Sequence, residues 1–394
     1  MIVFLTLTTE YPLTLNQLDT PDYTYIGTDS ELQQAAADWS TNTSVALDTE
    51  FMRVNTFYPL AALFQIGTAE NCYLIDPLTI ADFGPLVELL ENPSIVKIMH
   101  ACSEDLEVFS TFLKCKPAAL YDTQVGAAFL GYGLSIGYKN LVDAVFKVDL
   151  PKGEQRSDWL QRPLTDKQLT YAALDVTFLE EIYQQQLMAL KDKGWLECVE
   201  QEVDGMLKKQ GRSTDPADAY LRVKGANRLS LDEVQIVYCL AQWREIEARS
   251  RNIPRGFLFK DPQLLEIAQN QPASLESLAR TEGMRRRFVR EDGGMVLALI
   301  EQAKDSEPAV PAFPETLPPR AKPLVKELQL VLIDIAEVSG LIPELLLNRK
   351  SVVAMLTELM ASGKAVLPEN LPAWKVALFG APLLSALASM KGKI

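Results

Sequence analysis

Asp48 and Glu50 lie two apart in Ser44-Val-Ala-Leu-Asp-Thr-Glu-Phe51, an apolar stretch of strand character. Strand side chains alternate between faces, so the two carboxylates point the same way. Tyr171 and Asp175 are four apart in a helical stretch and share one helix face. A further acid, Asp105, closes His100-Ala-Cys-Ser-Glu-Asp105. If the fold gathers these groups, four carboxylates and one phenol line a single cleft. Such a cage repels itself unless cations or protons fill it. Hard divalent ions such as Mg2+ or Mn2+ are the natural occupants, because they take oxygen ligands.

Each of these residues also has a plainer reading. Asp48 and Glu50 could be solvated acids at a strand end, but the buried Val-Ala-Leu before them favours function. Asp105 could simply complement a helix N-terminus, a role that Glu104 and Glu107 fill equally well. Asp175 sits among Ala172, Ala173, Leu174, Val176 and Phe178, which predicts partial burial rather than an exposed helix acid. Tyr171 alone would read as packing; its offset from Asp175 moves it to the site.

The chain holds one histidine, His100. A Ser-His-Asp triad would have to be built on it, and no Gly-x-Ser-x-Gly elbow is present. Zinc sites with two or three histidines are excluded. A hydrolase here needs metal ions rather than imidazole to activate water. We assign His100 no catalytic part, since a satisfied structural role is at least as good a reading. The five cysteines are scattered without a Cys-x-x-Cys pair, which fits reduced thiols in a cytoplasm.

The length, 394 residues, predicts two or three domains. Composition is that of a soluble globular protein, 48% hydrophobic and 23% charged. The first residues are apolar but lack a basic leader and a cleavage site, and we expect no signal peptide and no membrane span. The net charge of −14 opposes a nucleic-acid partner at first sight. It is unevenly spread: residues 1–200 carry 28 acidic and 12 basic side chains, whereas 222–290 carry 8 and 13. The basic segment either grips a polyanion or is a solvated helical surface.

Element patterns follow from periodicity. A helix is predicted over Asp29–Trp39, then strands over Val45–Leu47, Ala61–Thr68, Cys72–Ile75 and Ile95–His100. Further helices are predicted from Ser103 as N-cap, over Thr123–Leu130 behind Asp122, and over Asn140–Phe146. Two more are predicted over Thr165–Lys191, with Thr165 as N-cap, and Trp195–Lys208. Strands followed by helices imply an α/β domain on a mixed sheet. The domain reading is an N-terminal arm at 1–25, an α/β domain at 26–210 and a linker at 211–225. A helical bundle follows at 226–303, then a Pro-rich linker at 304–323 and a second bundle at 324–394.

Together these motifs resemble the DEDD superfamily of 3′–5′ exonucleases, and within it the ribonuclease D family. Asp48-Thr-Glu50, His100-Ala-Cys-Ser-Glu-Asp105 and Tyr171-Ala-Ala-Leu-Asp175 match its ordered acids. The tyrosine marks its tyrosine branch. Gln155-Arg-Ser-Asp-Trp-Leu-Gln-Arg-Pro-Leu-Thr165 and Phe57-Tyr-Pro-Leu with Gln65-Ile-Gly are similar to ribonuclease D segments. Trp243-Arg-Glu-Ile-Glu-Ala-Arg-Ser-Arg-Asn-Ile-Pro-Arg-Gly resembles a first HRDC domain. Leu371-Pro-Ala-Trp-Lys is the main handle on a divergent second one. The resemblance implies a ribonuclease H-like mixed sheet flanked by helices, followed by two small all-α HRDC-like bundles. It implies two divalent ions held by Asp48, Glu50, Asp105 and Asp175, with Asp48 bridging and Tyr171 positioning the attacking water. It further implies a monomeric cytoplasmic exoribonuclease that trims 3′-extended tRNA precursors to nucleoside 5′-monophosphates. A DNA 3′–5′ exonuclease and a non-catalytic RNA-binding scaffold are the alternatives; a scaffold would be expected to have lost a carboxylate, and none is lost. Candidate substrate contacts are Phe51, Lys152, Arg156, Arg162, Arg251, Arg255, Arg285, Arg286 and Arg287. Trp159 is read as core.

Overall fold

The computed structural model describes residues 21–151, 153–210, 215–305, 313 and 317–393. Most of the expected N-terminal arm, Lys152, the start of the first linker and half of the second fall outside these residues. The chain divides into two compact units. The first is built from residues 1–52, 61–210 and 316–394, the second from 53–60 and 211–315.

The first unit contains a six-stranded mixed sheet: β1 (Thr24–Ile26), β2 (Ser44–Met52), β3 (Leu60–Gly67), β4 (Cys72–Ile75), β5 (Val96–Met99) and β6 (Leu120–Asp122). Their order is β1-β4-β3-β2-β5-β6. β1 runs parallel to β4 and β4 antiparallel to β3, while β2, β5 and β6 are mutually parallel neighbours. The end of the expected arm is thus an edge strand. Around the sheet lie α1 (Asp29–Trp39), α2 (Gly84–Glu91), α3 (Asp105–Val108), α4 (Thr123–Phe129), α5 (Tyr138–Phe146), α6 (Asp166–Thr177), α7 (Leu179–Lys193) and α8 (Leu196–Gln210).

Two helix starts show why local chemistry matters. α6 opens on a capping box, in which Thr165 and Gln168 satisfy each other's backbone N–H groups. α4 opens on Asp122, whose carboxylate accepts from Gln124 N and Val125 N. The expected single helix from Thr165 to Lys191 is instead two. The hydroxyl of Tyr138 donates to Leu174 O at 2.9 Å and accepts from Phe178 N at 3.1 Å. It therefore stands where the i→i−4 bond between those groups would form, and the helix breaks at Phe178. The expected Ser103 cap is corrected too. α3 starts at Asp105 after Glu104, with no side-chain cap. Asp122 fixes this turn instead, accepting from Ala101 N and Cys102 N, where Ala101 has a left-handed φ of 58°.

The C-terminal helices α12 (Lys322–Ser339), α13 (Arg349–Ser362) and α14 (Ala381–Ser389) belong to the first unit; α9 (Leu231–Ser250), α10 (Asp261–Asn270) and α11 (Arg286–Asp305) lie in the second. The terminal segment shares one hydrophobic cluster with Phe129, Leu190 and Val199, into which it sends Trp374, Phe379, Leu383 and Leu387. Trp374 Nε1 donates to Glu202 at 2.9 Å, and Lys375 pairs with the same carboxylate at 3.1 Å. The stretch Ala373–Gly392 is long and apolar enough to cross a membrane, contrary to the expectation of no such run. Its buried face is core instead.

The second unit is a helical bundle of α9 (Leu231–Ser250), α10 (Asp261–Asn270) and α11 (Arg286–Asp305). Ile236, Leu240, Phe259, Ile267, Phe288 and Val296 fill its centre. Residues 53–60, which link β2 to β3 along the chain, pack in this unit. Asn252 accepts from Phe57 N and Tyr58 N at 3.1 and 2.9 Å. The Phe57 ring lies 4.6 Å from the Arg255 guanidinium and 5.8 Å from that of Arg249. Both arginines hydrogen-bond Glu245, which is 1% exposed. These bonds hold the Glu245 carboxyl down at about 2, against the opposing effect of burial.

Candidate active site

β2 carries Asp48 and Glu50 on one face, and the last turns of α6 bring Asp175 to them. α6 can lie close to the sheet because its inner face is small: Ala172 and Ala173 are fully buried. The carboxylate oxygens of Asp48, Glu50 and Asp175 lie within 4.8 Å of one another. Asp105 stands outside that tight trio. Its Oδ1 accepts from the Thr49 hydroxyl at 2.5 Å, and Thr49 projects from the other face of β2. Asp105 still feels the trio's charge, since its carboxylate acts on those of Asp48, Glu50 and Asp175. The structure therefore brings three of the four expected acids together and tethers the fourth beside them.

The electrostatics follow from burial and crowding. Desolvation, then Asp105, Asp175 and Glu50, push the Asp48 carboxyl well above its usual range. Burial with Asp175 and Asp105 pushes Glu50 up to about 9. Burial raises Asp105 to about 6 and Asp175 to about 7, the latter against a hydrogen bond from Tyr171 that favours the charged form. Burial and the neighbouring acids drive the Tyr171 phenol far above 10, so the hydroxyl keeps its proton. An all-oxygen set that resists full ionisation is what a hard divalent cation relieves. The donor set therefore fits such an ion.

Beside Tyr171 and Asp175 opens a cleft of about 190 Å³, lined also by Tyr138, Lys139, Asn140 and Gln155. These lining residues were not legible as site residues, because nothing in their spacing marks them. Trp159 is 1% exposed and packs 6.0 Å from the Tyr171 ring, as core. Phe51 is partly buried against the sheet's hydrophobic cluster. His100 is held between Thr123 Oγ1 at 2.8 Å and Ile136 O at 2.9 Å. Burial lowers its pKa, so the neutral ring donates from Nε2 to the carbonyl, a structural role.

The arginine expectations change most. Arg162 donates to both carboxylate oxygens of Asp76 at 2.6 Å, and to Ala62 O and Trp159 O. A bidentate pair that also satisfies two carbonyls leaves the guanidinium committed to the fold rather than to substrate. Arg251 pairs with Asp292 and Glu247, and Arg255 with Glu245; both hold the bundle together. Arg156, Arg285, Arg286 and Arg287 are exposed. Arg285 lies over the Phe257 ring, and Arg287 makes a surface pair with Glu291, which costs little to break.

Comparison with known proteins places this geometry. Residues 23–190 match a family described as 3′–5′ exonuclease, and residues 234–300 match the HRDC domain family. The chain is 42% identical to ribonuclease D of Pseudomonas paraeruginosa over 373 residues, covering 94% of this chain and 98% of that one. It is 34% identical to ribonuclease D of Escherichia coli over 370 residues, covering 93% and 98%. The crystal structure of Escherichia coli RNase D, described as an exoribonuclease involved in structured RNA processing, superposes with a TM-score of 0.85. That match has 33% identity and covers 93% of this chain and 99% of the other. The catalytic core of RRP6 from Trypanosoma brucei shares the fold at a TM-score of 0.60 and 24% identity.

Proposed function

The chain belongs to the ribonuclease D family, and from that premise we propose that it trims 3′ extensions from structured RNA, tRNA precursors foremost. It acts as a monomer and releases nucleoside 5′-monophosphates. The observation that carries this reading is the trio of Asp48, Glu50 and Asp175, whose oxygens lie within 4.8 Å of one another.

Asp48, Glu50 and Asp175 would hold two divalent ions, with Asp105 completing the set. When bound, such ions supply Lewis acidity, which makes water a nucleophile at neutral pH and offsets charge on the leaving 3′ oxygen. The protein's own groups do the rest. Tyr171 keeps its proton and does not act as a base; with its O–H turned to Asp175, its oxygen accepts from the attacking water and orients it. Thr49 fixes the rotamer of Asp105. The cleft at Lys139, Asn140 and Gln155 receives the terminal nucleotide next to Asp175. Arg285, Arg286 and Arg287, on the basic bundle, contact RNA phosphates.

The test is a 5′-labelled tRNA with a 3′ extension, incubated with the purified full chain and Mg2+ or with EDTA, beside a DNA of the same sequence. The expected result is a ladder of single-nucleotide shortenings that stops near the mature 3′ end and needs the metal. Internal cleavage, or equal degradation of DNA, would overturn the proposal.

A further inference from the structure

Gln65 on β3 is 0% exposed, and neither polar atom of its amide has a hydrogen-bond partner among the described residues. Buried amides are almost always paired, and an unpaired one calls for a cause. Its surroundings supply one. β2 and β3 are neighbours joined by residues 53–59, too short a link for a parallel crossover, so they run antiparallel. A Cβ on Gly67 would lie 3.2 Å from the Cβ of Ala46, which sets Gly67 opposite Ala46. Two residues back along β3 and two forward along β2, Gln65 stands opposite Asp48. Directly opposed side chains share a face, with Cβ atoms about 4.5–5.5 Å apart.

The other side of Gln65 is closed by α6. Val176 comes within 3.3 Å of the Gly67 position, and Ala172 clusters with Leu63, Leu74 and Trp159. Gln65 therefore lies beneath the helix that carries Tyr171 and Asp175, shut off from solvent. We propose that Gln65 is a positioning residue for Asp48. With a cation bound, its Nε2–H would donate to the Asp48 oxygen left free of the ion, and so would fix how Asp48 presents its other oxygen. Partners of this kind orient metal-binding carboxylates, and their loss typically costs about 10- to 100-fold in metal affinity. The inference rests on Asp48 being a metal ligand.

The experiment measures Mn2+ binding to the full chain from the spectrum of free Mn2+, for wild type and Gln65→Met. Methionine keeps the volume and removes both polar ends. The proposal predicts Mn2+ binding weakened about tenfold or more, with a melting temperature in EDTA equal to or above that of wild type. Binding within twofold of wild type, together with raised stability, would show an idle buried amide and overturn it. Wild type that binds no Mn2+ would instead overturn the reading of the site itself. If Gln65→Met does not fold, a crystal structure of Mn2+-loaded wild type decides. Gln65 Nε2 within hydrogen-bond distance of an Asp48 oxygen supports the assignment; a longer separation ends it.

Discussion

Without a cation, the acid cluster should make the protein less stable as pH rises. The carboxyl of Glu50 is held up at about 9 against an ordinary 4.5. Between those values the folded state keeps a proton that the unfolded state has lost. Stability then falls by about 1.4 kcal/mol per pH unit for one such proton. The window from pH 6.5 to 8.0 isolates the effect. It lies above the ordinary range of His100, whose lowered pKa would add stability as pH rises toward 6.5. It stops where Lys97, pulled down to about 8 by burial, begins to contribute. Over that window Glu50 alone removes about 2 kcal/mol, roughly 4–8 °C in the melting temperature of a domain this large. Thermal unfolding in EDTA at pH 6.5, 7.25 and 8.0, repeated with Mn2+, measures it. Mn2+ should restore the melting temperature most at pH 8.0, and Glu50→Gln should reduce the slope in EDTA without abolishing it, since Asp48 and Asp175 are raised too. A melting temperature in EDTA that is flat or rising across the window would refute the reasoning.

Other perturbations give separate readouts. Asp175→Asn should lower the rate of RNA shortening by roughly 10^3-fold or more while raising the melting temperature in EDTA, because one repelling charge is gone. Tyr171→Phe should lower kcat by roughly 100-fold and leave Mn2+ affinity within twofold, measured on the same preparations. Tyr138→Phe removes the hydroxyl between Leu174 O and Phe178 N; it should cost about 1–3 kcal/mol in thermal unfolding and lower kcat through Asp175. Glu245→Ala leaves Arg249 and Arg255 without their shared carboxylate and should destabilise the helical bundle by about 3 kcal/mol. In wild type that contribution is present above pH 4.5 and fades as pH falls toward 2.

The acids that the structure gathers were largely legible in the sequence, and the groups packed around them were not. Asp48 with Glu50, and Tyr171 with Asp175, declare themselves because periods of two and four map directly onto strand and helix faces. The capping box at Thr165 and the cap at Asp122 are equally local signals. Thr49, Gln65 and Tyr138 act across long sequence separations, and no spacing rule reaches them. The break at Phe178 depends on a hydroxyl 40 residues away. Basic residues show the same limit: charge is visible in a sequence, but its partner is not. Asp76, Asp292 and Glu245 stand beside Arg162, Arg251 and Arg255, and no spacing announces them. The terminal bundle was read from the chain as a domain of its own. In the structure Trp374 and its neighbours share one hydrophobic cluster with Phe129, Leu190 and Val199.

The most direct measurement is a crystal of the full chain soaked in Mn2+, with anomalous diffraction recorded at the manganese edge. The account predicts a peak coordinated by oxygens of Asp48, Glu50 and Asp175 at about 2.2 Å, with a second one near Asp105. Density that is empty between these carboxylates at saturating Mn2+, or an ion bound only elsewhere, would contradict it.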